Sequence, residues 1–565
     1  MKVKRTKCVI ARGVLIVAMF GGLVGSKANA QSAPSQQATD QQATDQKPQA
    51  DVINELDAMK KRVEELENKL KNNAPKEEPA AAQPDTAADR TAGDKPADPN
   101  STPVADLRPP ADGAALSPQA PATPAPATPA PDAPPPVDLQ TPFAYADFTW
   151  MLSNSRNHDE VLDGKYFSGE FRVDTNYMYD YNHPIDHTLD GTTEGERTGE
   201  FVIQALNVGG DFHAGNMQGR ILTQFGAVST AVPRNDSSYS QGQWQLNDAY
   251  RYLSEMYAGY HINFMHGLNF QVGDFLSFIG LFSYYSFDNW TYQPSYVSSN
   301  TPWFFTGLRA QWFPTNKLKI EPWLINGWQT YAKYNGREGV GGQILWRPTG
   351  NLDFVWNTYT LGRDVLGNPN RSRYHADWSQ EWKFYENPKN LIHRAGVTIT
   401  EDFGCETGGG VVCTHGNRDG RPPAQNFVGI MAYNRYWIYK DMFSFTVGGG
   451  VMNNPGRYLV LLPPINGATA TTGSPYFTEN PGDPFKAYDF QVSWDYMPSQ
   501  WVTWRVEFTQ RGTNVPYFVG PGGITPQVTP GLYVNTGDPT QIIPGFTPDL
   551  RKQERRWIFS LMVKL

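Results

Sequence analysis

Long apolar runs are what this 565-residue chain lacks. Beyond its first thirty residues no segment reaches the roughly 18 consecutive apolar residues of a membrane-crossing helix, which excludes a helical membrane protein. Cysteine is scarce as well: Cys8, Cys405 and Cys413 are the whole complement. Cys405 and Cys413 lack the paired C-x-x-C spacing of zinc sites, and His415 alone does not supply one, so no metal centre is expected. G-x-S-x-G, H-E-x-x-H and a phosphate-cradling P-loop are also missing. No catalytic residue and no cofactor is therefore expected, and the reading is of a protein that is not an enzyme. Charged residues make up only 18% of the chain, and the net charge of −8 is spread without a basic patch, which argues against nucleic-acid binding.

What is present is arranged in zones. Lys2, Lys4, Arg5 and Lys7 precede a short apolar core from Gly13 to Gly25, and Ala28-Asn29-Ala30 supplies a small-x-small cleavage pattern. Residues 1–30 thus read as a secretory signal peptide, with Gln31 the expected mature start. Cys8 leaves with it. The two remaining cysteines are close in sequence and bound for an oxidising compartment, which favours a Cys405–Cys413 disulfide.

Residues 31–50 form a polar segment expected to be disordered. Within 51–73, the apolar residues Val52, Leu56, Met59, Val63, Leu66 and Leu70 alternate spacings of four and three. Leu56, Val63 and Leu70 then occupy heptad a positions, with Val52, Met59 and Leu66 at d. Glu55 pairs with Lys60, and Arg62 with Glu67, across a parallel coil. A lone helix this short is marginal in water, so a self-associating coiled coil is the better reading. Residues 74–141 are rich in proline, alanine and aspartate, cannot bury a core, and read as an extended linker with a reach on the order of 200 Å.

From residue 142 the pattern changes to alternation. Tyr488, Phe490, Val492, Trp494 and Tyr496 share one face of a strand, and Asp489, Gln491, Ser493 and Asp495 share the other. Trp504, Val506 and Phe508 alternate with Arg505, Glu507 and Thr509 after a tight turn. At the end of the chain Trp557, Phe559, Leu561, Val563 and Leu565 oppose Arg556, Ser560 and Lys564. A soluble sandwich also alternates, but here Trp and Tyr crowd the strand ends as membrane-interface girdles do.

Sixteen strands are expected, near 166–179, 199–212, 217–228, 246–262, 267–276, 303–313, 317–330, 339–347, 352–361, 373–385, 392–402, 426–438, 443–452, 486–497, 500–511 and 555–565. Short links at Ala214-Gly215, Asn263–His266, Pro314–Asn316, Pro348–Asn351, Asn387–Asn390, Lys440-Asp441 and Pro498-Ser499 alternate with long ones such as 277–302, 403–425, 453–485 and 512–554. Strict alternation of short and long connections is what a bacterial outer-membrane barrel requires, with the short turns and both barrel ends in the periplasm. The expected fold class is therefore all-β: a transmembrane antiparallel β-barrel over 142–565, preceded by a short coiled-coil helix and a disordered linker, both periplasmic.

From Pro142 onward the chain resembles the porin-2, OmpL-like family of β-barrel porins. The resemblance is carried by PFAYADFTWM at 142–151, DNWTYQPSYVSSNTPWFF at 288–305, IEPWLINGW at 320–328 and NPGRYLVLLPPINGATA at 454–470. It implies an outer-membrane barrel of porin function and no catalytic or ligand residues. One departure is terminal: such barrels usually end in Phe, where this chain has Leu565. By analogy with porins a trimer is the favoured assembly through residues 52–70. The other expected partners are outer-membrane lipids, the barrel-assembly machinery and, for the coil, peptidoglycan.

The leading function is passive diffusion of small hydrophilic solutes through a water-filled lumen, since sixteen strands leave room for one. Arg309, Arg373, Asp377, Glu381, Arg505 and Glu507 fall on inward faces and are the candidate pore-lining residues. The alternative for each is a structural role, wetting the lumen and pairing with neighbours. The aromatic link 277–302 is the candidate constriction, with Tyr284, Tyr285, Asp288 and Trp290 as its residues; packing over the rim is the alternative. Rings facing the pore would suit sugar-like or other neutral solutes. A tether joining outer membrane to cell wall, or a surface adhesin or receptor, are the competing functions. Deleting residues 31–141 separates tether from pore.

Overall fold

Period-2 alternation becomes a closed wall. The computed structural model describes residues 138 and 140–565, apart from 193, 234–235, 366–367, 417–419, 456–464, 466–479, 530 and 535–541, together with Lys61. The signal peptide, most of the heptad segment and most of the linker lie outside the described residues. Sixteen strands follow in order: β1 Phe167–Asp180, β2 Phe201–Ala214, β3 Met217–Thr223, β4 Leu253–Ile262, β5 Leu268–Leu276, β6 Phe304–Thr315, β7 Leu318–Ile325 and β8 Gly339–Thr349. The second half comprises β9 Leu352–Thr360, β10 Ser372–Glu386, β11 Ile392–Thr407, β12 Asn426–Ile438, β13 Phe443–Asn453, β14 Lys486–Ser499, β15 Val502–Thr513 and β16 Gln553–Lys564. Each pairs antiparallel with the next, and β16 returns to β1, from Arg172↔Lys564 to Asp180↔Arg556, so the barrel has no open edge. Leu565 extends the seam by exchanging backbone hydrogen bonds with Phe171 at 2.8 and 3.1 Å.

The two faces of this wall differ as the alternation demands. Along one register row Trp494, Val506, Phe559 and Tyr177 stand side by side on four neighbouring strands and point outward. One step along, Asp495, Arg505, Ser560 and Asn176 point inward and are buried. Trp346, Trp382, Tyr496 and Trp504 are exposed on the outer face close to the short turns, forming an aromatic belt at that end. At the tight turn between β12 and β13, Tyr439, Lys440 and Asp441 all adopt positive φ, a backbone that aspartate tolerates better than tyrosine or lysine.

Three strands are shorter than the sequence pattern suggested. β3 stops at Thr223, since Gly226 turns the chain at φ 102° into a short helix, Val228–Ala231. Residues 246–250, with apolar Leu246, Ala249 and Tyr250 at helical spacing, form a helical turn, and the strand begins only at Leu253. β7 ends at Ile325, after which Trp328 donates its backbone N–H to Asp364 (2.7 Å) and Gln329 takes φ 48°. Val228, Leu246, Tyr250 and Trp328 pack among buried apolar residues instead of continuing a strand. Cys405 and Cys413 form a disulfide that ties the end of β11 to its loop.

If the outward row meets lipid, Val506→Arg should destabilise the barrel by about 2–4 kcal/mol in liposome unfolding titrations, because a guanidinium at mid-bilayer is costly. A loss below about 0.5 kcal/mol, the size typical of a water-facing surface change, would show that this face is not in lipid.

Candidate functional site: the filled lumen

Link 277–302 does not pack over the rim. It folds into the barrel, where nearly every residue of it is buried. A loop without its own ladder must satisfy its backbone elsewhere, and the inward side chains of β14 and β15 do so in order. The Arg505 guanidinium donates to the Ser286 and Asn289 carbonyls at 3.2 and 2.7 Å. Glu507 accepts the backbone N–H groups of Tyr292 (2.6 Å) and Gln293 (3.0 Å). Arg511 donates to the Pro294 carbonyl at 3.1 Å, and Asp489 accepts from Ser295 Oγ and the Tyr296 N–H at 2.8 and 2.7 Å. The loop thus climbs the wall residue by residue.

The charges that hold the loop are themselves paired. Asp495 lies 2.6 Å from Arg505 and 2.7 Å from Arg435, and Arg435 also donates to the Trp290 carbonyl at 3.0 Å. On the other side of the loop Asp288 meets Arg172 at 2.8 Å, and Arg172 lies over the Tyr285 ring at 3.9 Å. The Tyr285 hydroxyl reaches Glu255 at 3.1 Å, and the Tyr284 hydroxyl donates to Gln224. Tyr292 donates its hydroxyl to Asp174 at 3.0 Å. Hydrogen bonds to charged groups contribute about 1.5–3 kcal/mol each, and a buried charge left without one costs more.

A second segment enters from the opposite end. Residues 141–160 run as a strap across the mouth that carries the short turns. Phe143 N–H donates to the Asn316 carbonyl (2.8 Å), Trp150 Nε1 to Gly350 (3.0 Å) and Leu152 N–H to Glu381 (2.8 Å). Arg156 then reaches the carbonyls of Ser499 and Val502 at 2.8 and 2.6 Å, and Asn157 that of Lys564 at 3.1 Å. Strap and loop meet where Trp290 Nε1 donates to the Trp150 carbonyl at 3.2 Å. Their apolar residues, among them Phe148, Trp150, Leu152, Phe282 and Trp290, form one buried cluster with inward residues of the wall such as Phe427, Tyr433 and Trp437.

The six charged residues singled out from sequence all face inward, but their partners differ. Arg505 and Glu507 hold the loop, and Glu381 holds the strap. Arg309 is a wall residue, bonded to Gln271 (2.6 Å), 3.8 Å from Glu321, and stacked on Phe275. Arg373 pairs with Glu406 (3.0 Å) and lies over the Trp328 ring towards the long-loop mouth, while Asp377 accepts from Asn357 (3.3 Å), which also donates to Phe278 of the loop. Tyr284, Tyr285, Asp288 and Trp290 are all inside the barrel, but buried in contacts rather than presented to open water. Sequence reasoning passed over Arg172, Arg435 and Arg511, and placed Asp489 on the polar face without naming it a candidate, though each lies in the same alternating phase as its inward neighbours. The strap was missed altogether, because nothing in PFAYADFTWM signals that it crosses a mouth.

A closed sixteen-stranded antiparallel wall, apolar and aromatic outside and charged within, defines a porin-type outer-membrane barrel. The chain belongs to the family described as "Putative beta-barrel porin-2, OmpL-like", whose model matches residues 167–534. No curated protein matches the sequence. Solved structures similar to it include OmpT of Vibrio cholerae, at 8% identity and TM-score 0.40, covering 72% of this chain and 100% of that one. An anion-selective porin from Comamonas acidovorans is 8% identical (TM-score 0.41; 71% and 99% covered), and Pseudomonas putida OprB 10% (0.39; 71% and 94%).

Glu507→Ala leaves the N–H groups of Tyr292 and Gln293 without their acceptor, at a cost of about 1–3 kcal/mol for each. Hydrogen exchange of residues 288–297 should accelerate while β14–β16 stay protected. Unchanged exchange in that window would mean that the wall does not hold the loop.

Proposed function

We propose that the chain is a porin for passive diffusion of small hydrophilic solutes in which link 277–302 and the strap 141–160 restrict the pathway. The single observation behind this reading is the placement of link 277–302 inside a closed barrel, hydrogen-bonded to Arg505 and Glu507. Sixteen strands enclose more space than inward side chains fill, and here two segments of the same chain occupy much of it. Passage therefore depends on how firmly those segments are held. Arg505, Glu507, Glu381, Asp377 and the four loop residues act mainly by fixing this restriction, Arg309 and Arg373 pair within the wall and its mouth, and both signs among them leave charge preference to the path that remains. Rings buried in packing give no support to sugar stacking at Tyr284 or Tyr285, and Trp290 lines only a small cavity.

On this reading the short-turn mouth faces the periplasm and the strap leads out of it into the linker. Residues 51–73 self-associate there, as a trimer in the favoured form, while the assembly machinery inserts residues 142–565 in the outer membrane. Planar-bilayer recording tests the proposal. The full chain should give small or brief conductance steps, and Arg505→Ala/Glu507→Ala or deletion of residues 140–157 should give larger and longer ones. A correctly folded protein showing no stepwise conductance in any of the three forms would refute the channel.

A further inference from the structure

Where strap, loop and short turns meet they leave a cavity of about 310 Å³. That volume lies at the lower end of ligand sites, large enough for a molecule of one ring rather than a disaccharide. Its apolar lining comes from Trp290, Trp437, Phe287, Met151, Met442 and Met497. Trp290 and Trp437 meet edge to face with centroids 5.5 Å apart. Four cations, Arg156, Arg394, Arg435 and Lys440, share the same walls with only two carboxylates, Asp288 and Asp441.

The carboxylates are already engaged. Asp288 is divided between Arg172 (2.8 Å) and Lys564 (3.7 Å), and Asp441 is held by Arg394 at 2.6 Å. Asp495, just behind the wall, is divided between Arg435 and Arg505. Arg156 is different. Its hydrogen bonds go to the Ser499 and Val502 carbonyls and to the Thr503 hydroxyl, its Nε has no partner, and no carboxylate among the described residues pairs with it. Its guanidinium lies 4.9 Å from the centre of the Phe287 ring. Burial, with Arg435 and Arg505 adding repulsion against the pull of Asp495, lowers its pKa to about 10, which still leaves it charged at neutral pH. Lys440 is exposed in the adjoining turn, and no carboxylate among the described residues pairs with its ammonium.

We infer that this cavity binds a small carboxylate with an aromatic body, its charge met by Arg156 and Lys440 and its ring by Trp290, Trp437 and the methionines. A half-buried guanidinium whose nearest carboxylates, Asp495 and Asp288, are already held by other cations favours an added anion. The thioether and indole lining favours a ring over a hydrated sugar or inorganic ion. Binding here does not need conduction. It is read on the full chain in detergent micelles, so a failed bilayer experiment and a failed binding experiment are separate results.

Calorimetric titration with benzoate, benzyl alcohol, benzylamine and acetate is the test. Benzoate should bind saturably, and each of the other three should bind about tenfold or more weaker, the equivalent of losing one charge-assisted or one ring contact. Arg156→Gln and Lys440→Gln should each weaken benzoate by a similar factor while leaving benzyl alcohol unaffected. Lys440 lies in an exposed turn, so its variant keeps the test informative if Arg156→Gln fails to fold. Absence of saturable benzoate binding, equal affinity for benzyl alcohol or acetate, or benzoate affinity unchanged in the Lys440 variant would overturn the assignment.

Discussion

Glu507 sits fully buried inside a membrane barrel and accepts two backbone N–H groups from a loop more than two hundred positions earlier in the chain. The rest of the interior follows from the constraint it expresses. An inward-facing charge, once shut away from water, must be paired or hydrogen-bonded or it destabilises the fold by several kcal/mol. A wall of this circumference cannot pair all its charges across the lumen with side chains alone. Link 277–302 brings carbonyls to Arg505, Arg511 and Arg435, and N–H groups to Glu507 and Asp489. The strap brings a further N–H to Glu381. Wall and filling are therefore mutually dependent: each satisfies groups that the other would leave orphaned.

The outer face obeys a simpler rule. It has only to be apolar at mid-height and aromatic near the interface, which is why Trp494, Val506, Phe559 and Tyr177 line up on adjacent strands without any further specificity. That division of labour explains what could be read from the amino-acid order. Period-2 alternation and turn chemistry are local, so all sixteen strands, the seven tight turns and the inward phase of Arg505 and Glu507 were legible in the sequence alone. Strand ends were less so. The expected strands run on through 224–228, 246–252 and 326–330, where Val228, Leu246 and Trp328 instead pack within the loops.

Partners were not accessible at all, for a physical reason. Whether Asp288 meets Arg172 or Arg505 depends on register summed around the closed wall and on the path of a loop with no repeating pattern. The aromatic, nearly uncharged composition of 277–302 suggested burial and left the depth open. It did not show that Tyr284 and Tyr285 would serve as hydrogen-bonding struts to Gln224 and Glu255 rather than as surfaces presented to a solute. Residues 142–157 carried no signal beyond family likeness, since a strap is defined by what it crosses. The uncompensated Arg156, and with it the cavity beneath, emerges only once that crossing is known.

A porin so filled conducts only as far as its filling yields, so the position of link 277–302 in the assembled protein is the central matter. A side chain added at Gly450 on β13 would press on the hydroxyl of Ser295 in the loop, which puts a cysteine pair at these positions within disulfide reach. Thiol mapping of Ser295→Cys/Gly450→Cys by mass spectrometry, in protein folded into outer-membrane vesicles, reads this directly. The account predicts that the two introduced cysteines join each other without added cross-linker. Two free thiols, with the one introduced in the loop modified by a membrane-impermeant maleimide, would place the loop outside the lumen and contradict it.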